Sequence, residues 1–211
     1  IGIPGSLENS VFQLGRILVI SMIAGFGTAQ VAANAVANNL DSLGCIPGQA
    51  LGLAVVTVVG QCIGAGDYDS ARQYEQKLLK FAYLSMAVVN ILILVSLPLS
   101  LKLYNLTKET LELAAILVIL HDGFAMIFWP TAFVLPNALR AAQDVRFTMV
   151  VSIFSMIAFR IFFSWVIGVR FGMGIIGVWI AMIIDWVFRG GLFIWRVRSG
   201  RWLTHVKPKN S

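Results

Sequence analysis

The sequence predicts an all-α membrane protein with six transmembrane helices. Hydrophobic residues make up 58% of the chain and charged residues only 12%, against roughly 25% charged in a soluble domain. The mean hydropathy is +0.84. Apolar stretches also recur at lengths that cover roughly 30 Å of hydrocarbon, which takes about 20 residues of helix.

The six stretches lie at 6–26, 29–64, 70–103, 108–137, 144–169 and 173–198. Backbone N–H and C=O groups must be satisfied within each span, so helices are the expected elements. Short turns separate them: Phe26 to Thr28, Tyr104 to Thr107 and Phe171 to Gly174. Thr107 is suited to N-cap the fourth helix ahead of Glu109 and Glu112.

The stretch from Ile46 to Ala71 organises the rest. Pro47 and Gly48 are expected to break or hinge the second helix. Gly48 and Gly52, then Gly60 and Gly64, are spaced four apart for close helix approach. Gln49 and Gln61 are expected as buried amides of the same helix. Gly66 suits the left-handed cap conformation, and Asp67 or Ser70 suits the start of the third helix.

Basic residues set the expected orientation. Arg72, Lys77, Lys80, Arg140, Arg146, Arg196, Arg198, Arg201, Lys207 and Lys209 fall on one side, and Lys102, Lys108 and Arg170 on the other. The positive-inside bias puts the first side, with both chain ends, in the cytoplasm of a multi-pass inner-membrane protein. Residues 1–203 are read as the transmembrane unit and 204–211 as a cytoplasmic tail, with Trp202 as an interfacial anchor. The chain opens at Ile1 without an initiator Met, and the expectation is a fragment lacking its upstream part. The net charge of +6 sits beside apolar spans and does not point to nucleic acid. Cys45 and Cys62 lie about 25 Å apart along one helix, too far to bridge, and are read as buried thiols. No cofactor and no metal site is assigned.

Ionisable groups at membrane depth are functional candidates. On the second helix, Asn34, Asn38 and Asp41 form a polar stripe at i, i+4 and i+7. It reads either as an interhelical hydrogen-bond seam or as the wall of a water-filled cavity with Asp41 attracting cations or protons. On the fourth, His121 and Asp122 lie mid-span, followed by Trp129 and the kink residue Pro130, with Pro136 further on. The alternatives are a gated cation site or a buried polar pair bonded to backbone. Glu8, Asn9, Gln13 and Arg16 give the first helix a polar face, either a dipole-compensating first turn or a cavity wall. In the last hairpin, Arg160 lies 11 residues before Phe171 and Asp185 13 after Gly172. An ion network of Arg160, Asp185 and Arg189 is expected to hold the hairpin. Gly60 to Gly66 is glycine-rich but lacks the Gly-Lys-Ser/Thr ending of a phosphate loop, and no nucleophile–base set or metalloprotease helix motif is present. Enzymatic catalysis is not predicted.

From Ile3 to Trp202 the chain resembles the multidrug and toxin extrusion (MATE) family. The carriers are Ile3–Pro4, Ala32-Ala33-Asn34, Pro47–Gly48, the Val59 to Asp67 turn, Pro136 to Ala141, Asp144, and Gly174 to Ala181. The resemblance implies one six-helix lobe, the C-terminal half, of a twelve-helix transporter. It implies antiport of organic cations against Na⁺ or H⁺ across a central cleft shared with the missing N-terminal lobe. Family members carry cation-site carboxylates on the first and fourth helices of this lobe. Glu8 and Asp122 are the acids present there, Asp122 about two turns ahead of the family position near Trp129. Phe128, Trp129, Asp41 and Asp122 are the expected cleft lining. The competing readings are a lipid-linked oligosaccharide flippase, which needs a cationic cavity, and a non-transporting membrane assembly partner.

Overall fold

The computed structural model describes the backbone of residues 2–204 and 206 and the side chains from Ser10 onward. The side chains of Ile3, Pro4, Glu8 and Asn9, and the tail positions 205 and 207–211, lie outside the described residues. The helices are α1 (Gly2–Ala24), α2 (Thr28–Gly64), α3 (Tyr68–Lys102), α4 (Lys108–Trp129), α5 (Leu135–Ala141), α6 (Val145–Ser155) and α7 (Gly174–Arg198). A π-helical stretch, Pro130–Val134, joins α4 to α5, and two more, Met156–Phe163 and Trp165–Arg170, extend α6. Among the described residues, five spans are long and apolar enough to cross a membrane, and Ser10–Ala24 of α1 is a shorter apolar helix. Leu53, Leu84, Val95 and Leu99 point outward, as a hydrocarbon solvent allows.

α2 is the central helix, packed against α3, α4 and α5. Its inner face is cut back by Gly44, Gly48 and Gly52. A Cβ at Gly44 would strike the Asn90 amide of α3, and one at Gly48 would strike Trp129 of α4 and Met86 of α3. A Cβ at Gly52 would lie 2.7 Å from Asn137 Nδ2 of α5. The missing methyls are therefore the space that three polar or aromatic side chains occupy. Gly60 and Gly64, expected to act in the same way, have nothing within 4 Å. Gln49 and Gln61 are exposed rather than buried, because the neighbours of α2 all pack on the glycine face and the amides sit across the helix from it.

Pro47 does not break α2, which runs as one helix through it. Proline removes one backbone donor and orphans a carbonyl one turn earlier. Next to the Leu43 carbonyl that loses its partner, Asn90 Nδ2 reaches in from α3 and donates to the Gly44 carbonyl at 3.2 Å. Pro130 acts differently. The α-helical pattern stops there and the chain continues with wider π turns, Leu135 N–H donating to Pro130 O. Thr131 Oγ1 bonds back to Phe128 O at 2.9 Å within the transition. Pro136 follows directly on the π stretch inside the continuous helix Lys108–Ala141, where its missing N–H removes a further backbone donor.

The turns form from local chemistry. Gly66 adopts φ +77° after α2, and Asp67 N–H returns to Cys62 O at 2.9 Å. Asp67 then caps α3, its Oδ1 accepting from Ser70 N–H at 3.0 Å. Hydrogen bonds from Ser70, side chain first and then backbone, hold this exposed carboxyl below its ordinary range. The cap is therefore complete above the ordinary carboxylate range and is lost as pH falls through the lowered value. Thr107 caps α4 by accepting from Thr110 N–H at 3.4 Å. On the same side as the Gly66 turn, Arg196 of α7 clamps Asp144 with two hydrogen bonds, 2.7 and 3.2 Å, and its guanidinium lies 4.8 Å from the Phe147 ring centroid. A bidentate pair this buried resists loss of either partner.

G48A should lower the stability of the detergent-solubilised protein by about 1–3 kcal/mol, because Trp129 and Met86 must give way. G60A should stay within about 0.5 kcal/mol of wild type. Thermal unfolding of the two variants side by side checks this.

Candidate functional site

The polar stripe of α2 spans about 60° of helix arc, from Asn38 through Asn34 to Asp41. That arc straddles the edge between the packed and the open side of the helix. Asn38 is exposed, its Nδ2 returning to Asn34 O at 2.7 Å. Asn34 is half-buried and accepts from Trp179 Nε1 of α7 at 3.2 Å. Asp41 turns inward and is 4% exposed. The stripe thus divides among three environments.

Asp41 meets the two ionisable residues of α4. His121 Nδ1 lies 3.0 Å from Asp122 Oδ1 and 3.5 Å from Asp41 Oδ1. One ligand-capable atom from each of the three residues falls within 4.8 Å of the others. All three side chains are buried, Asp122 completely. Both Asp41 oxygens and Asp122 Oδ2 lack a hydrogen-bond partner. The His121 ring is held edge-on between two indoles of α7, Trp179 at 5.6 Å and Trp186 at 5.0 Å between centroids. The cluster is therefore two carboxylates sharing one imidazole nitrogen, walled by aromatic rings.

A pocket of about 70 Å³ opens beside this cluster, between α1, α2, the π segment after α6 and α7. Arg16, Asn34, Asn38, Arg160 and Trp179 line it. Asp41 and Asp122 are not among its lining residues; Trp179 touches both pocket and His121. Trp129, expected in a cleft, is instead a core residue, 8% exposed and stacked on Phe133 at 4.9 Å. The absent side chain at Gly48 is what draws it inward. Phe128 is half-buried and stacks on Phe124 at 6.1 Å. Gln13 is exposed. Glu8 and Asn9 lie outside the described side chains.

The expected three-member ion network contracts to two. Arg189 Nη1 lies 4.0 Å from Asp185 Oδ2, Arg189 Nη2 donates to Ser152 Oγ at 3.2 Å, and its guanidinium sits 4.7 Å from the Phe133 centroid. Arg160 makes no ion pair with Asp185 among the described residues. It falls in the Met156–Phe163 π stretch, whose wider turns change the register that 3.6-residue spacing assumes, and it faces the pocket and Phe12 instead. Cys45 is buried and Cys62 half-buried, both free thiols. Sequence reasoning missed Trp179, Trp186 and Ser152; indoles placed about one and three turns before Arg189 on α7 were the available signal.

Residues 4–166 match the protein family described as MatE. This chain belongs to the MatE family of transporters. It is 26% identical over 207 residues to the uncharacterized transporter YisQ of Bacillus subtilis, covering 96% of this chain and 44% of that protein. It is 24% identical over 202 residues to a probable multidrug resistance protein NorM of Thermotoga maritima, covering 96% and 43%. Among solved structures, it superposes with a TM-score of 0.85 at 19% identity on a MOP superfamily transporter from Pyrococcus furiosus whose reported binding-pocket polarity is reversed, covering 99% of this chain and 47% of that one. An outward-facing MATE family transporter gives a TM-score of 0.83 at 18% identity, covering 97% and 46%. The chain thus spans about half the length of the relatives it matches, as one lobe of such a transporter does. Composition, fold and family agree on a multi-pass membrane protein of a transporter family.

N-ethylmaleimide should label Cys62 and spare Cys45 in the folded protein, following their burial. Mass spectrometry of the labelled protein reads this directly, and equal labelling would contradict the packing around Asp41.

Proposed function

We propose that this chain is one lobe of a secondary-active exporter that moves organic cations or other xenobiotics outward in exchange for H⁺. Asp41, His121 and Asp122 carry the exchanged proton. The observation behind this reading is that three carboxylate oxygens of a fully buried cluster have no hydrogen-bond donor, although they come from two different helices and share a histidine. A buried carboxylate without a donor costs several kcal/mol unless it takes up a proton or a cation. Imidazole is a poor partner for a hard monovalent metal ion and a good one for a proton, so the histidine favours H⁺ over Na⁺. Glu8 keeps its candidacy as a further acid on α1.

The membrane disposition follows the basic residues, with the Gly66 turn, the Asp144–Arg196 clamp and both described ends on the cytoplasmic side. The open side of α1 and α2, which exposes Gln13, Asn38, Ser42 and Gln49, faces a second six-helix lobe across the cleft. Rocking of the two lobes gives each side access in turn. The π segment at Pro130 is where α4 has the least regular hydrogen bonding, close to the cluster it carries.

Ethidium efflux from cells expressing the protein tests this. An imposed pH gradient should drive efflux and a Na⁺ gradient should not. D41N and D122N should each lower the initial rate at least tenfold at unchanged membrane abundance. Efflux that follows Na⁺ would reassign the ion, and absence of gradient-dependent efflux at normal expression would end the export reading.

A further inference from the structure

Arg16 of α1 and Arg160 of the π segment line one small pocket. Among the described residues no carboxylate lines it, and neither guanidinium makes a hydrogen bond or ion pair with another described side chain. Arg16 is exposed and Arg160 half-buried, and the one described carboxylate whose charge acts on Arg160, Asp185, makes no ion pair with it and does not line the pocket; ionisable residues at membrane depth normally pair. The pocket's amides add to the same polarity. Trp179 Nε1 is a donor only, so Asn34 presents its oxygen to the indole and keeps its NH₂ as a donor. The remaining lining is apolar, with Ile20 and Met182.

We infer that the Arg16–Arg160 pocket is a binding site for a single anionic group, a carboxylate or a phosphate, carried on an amphipathic molecule. A guanidinium presents a planar fork that matches carboxylate and phosphate oxygens in pairs. Two of them with an amide donor supply enough hydrogen bonds for one such group. Size argues the same way. The pocket holds about 70 Å³, well below the roughly 300–1,000 Å³ of a site that takes a whole drug, so it grips one end of a larger ligand whose body stays against the open face of α1 and α2. Trp179 lines this pocket and also meets His121 edge-on. The inference rests on the export reading and names a feature of the exported molecule: a zwitterion, which carries an anionic group beside its positive charge, is preferred to a simple cation. A lipid headgroup phosphate offers the same chemistry.

The test uses the purified protein in phosphatidylcholine nanodiscs and two fluorescent probes, norfloxacin and its ethyl ester, which differ in the carboxylate. Norfloxacin should bind at least tenfold more tightly than the ester. R16Q and R160Q should each abolish that preference while leaving ester affinity unchanged, and R16K and R160K, which keep the charge, should retain part of it. Adding phosphatidylglycerol to the discs separates the two sources. If it weakens norfloxacin binding to the wild type but not to R16Q, the site takes lipid phosphate as well. If it has no effect, the occupant is the free organic anion. Equal affinity for acid and ester in the wild type would overturn the anion site and leave the export reading standing. Binding of neither probe would overturn both.

Discussion

Asp41 on α2 and the His121–Asp122 pair on α4 come together in the buried interior, where a carboxylate without compensation costs several kcal/mol. Their closeness depends on how near α2 and α4 can approach. That approach is set about two and three turns further along α2, where Gly48 admits the Trp129 ring and Gly52 admits Asn137. Removing side chains from one helix thus places charge from another. Trp179 and Trp186 then close the cluster on the α7 side, and α7 itself is tied down by Ile175 N–H donating to Gln30 Oε1 at one end and by the Asp144–Arg196 clamp at the other.

The charges in the lobe are sorted. Asp41 and Asp122, with three oxygens that have no hydrogen-bond donor, lie buried between α2 and α4, and Arg16 and Arg160 line the pocket on the open side. Asp185 and Arg189 sit between helices with Ser152 and Phe133 around them and read as structure. On the proposed export reading, the acid cluster would serve the driving ion and the Arg16–Arg160 pocket a group of the ligand. Trp179, in contact with both, is the side chain through which occupancy of one can be felt at the other.

Much of the architecture is legible in the residues themselves. Composition and the lengths of apolar stretches suffice for an all-α membrane fold, because a bilayer permits few other solutions. The Gly66–Asp67 turn and the Thr107 cap are equally legible, since both form from hydrogen bonds within a few residues. What local pattern does not contain is which helix faces which. Asp41 and His121 lie on different helices, and nothing in either segment announces the other. Gln49 and Gln61 look like buried amides until the glycine face takes all the neighbours of α2. Arg160 shows a different failure: depth in the hairpin can be counted from Phe171, but azimuth cannot once the helix departs from 3.6 residues per turn. Trp129 looked like a cleft residue beside a proline and proved to be the knob that fills the notch at Gly48.

The most direct measurement is infrared difference spectroscopy of the purified protein across a pH titration, following the carbonyl stretch of protonated carboxyl groups. A buried acid that takes up the exchanged proton predicts a band in that region that titrates with pH and disappears in D41N or D122N. A titration with no such band, or a band left unchanged in both variants, would contradict a proton-carrying cluster at Asp41, His121 and Asp122.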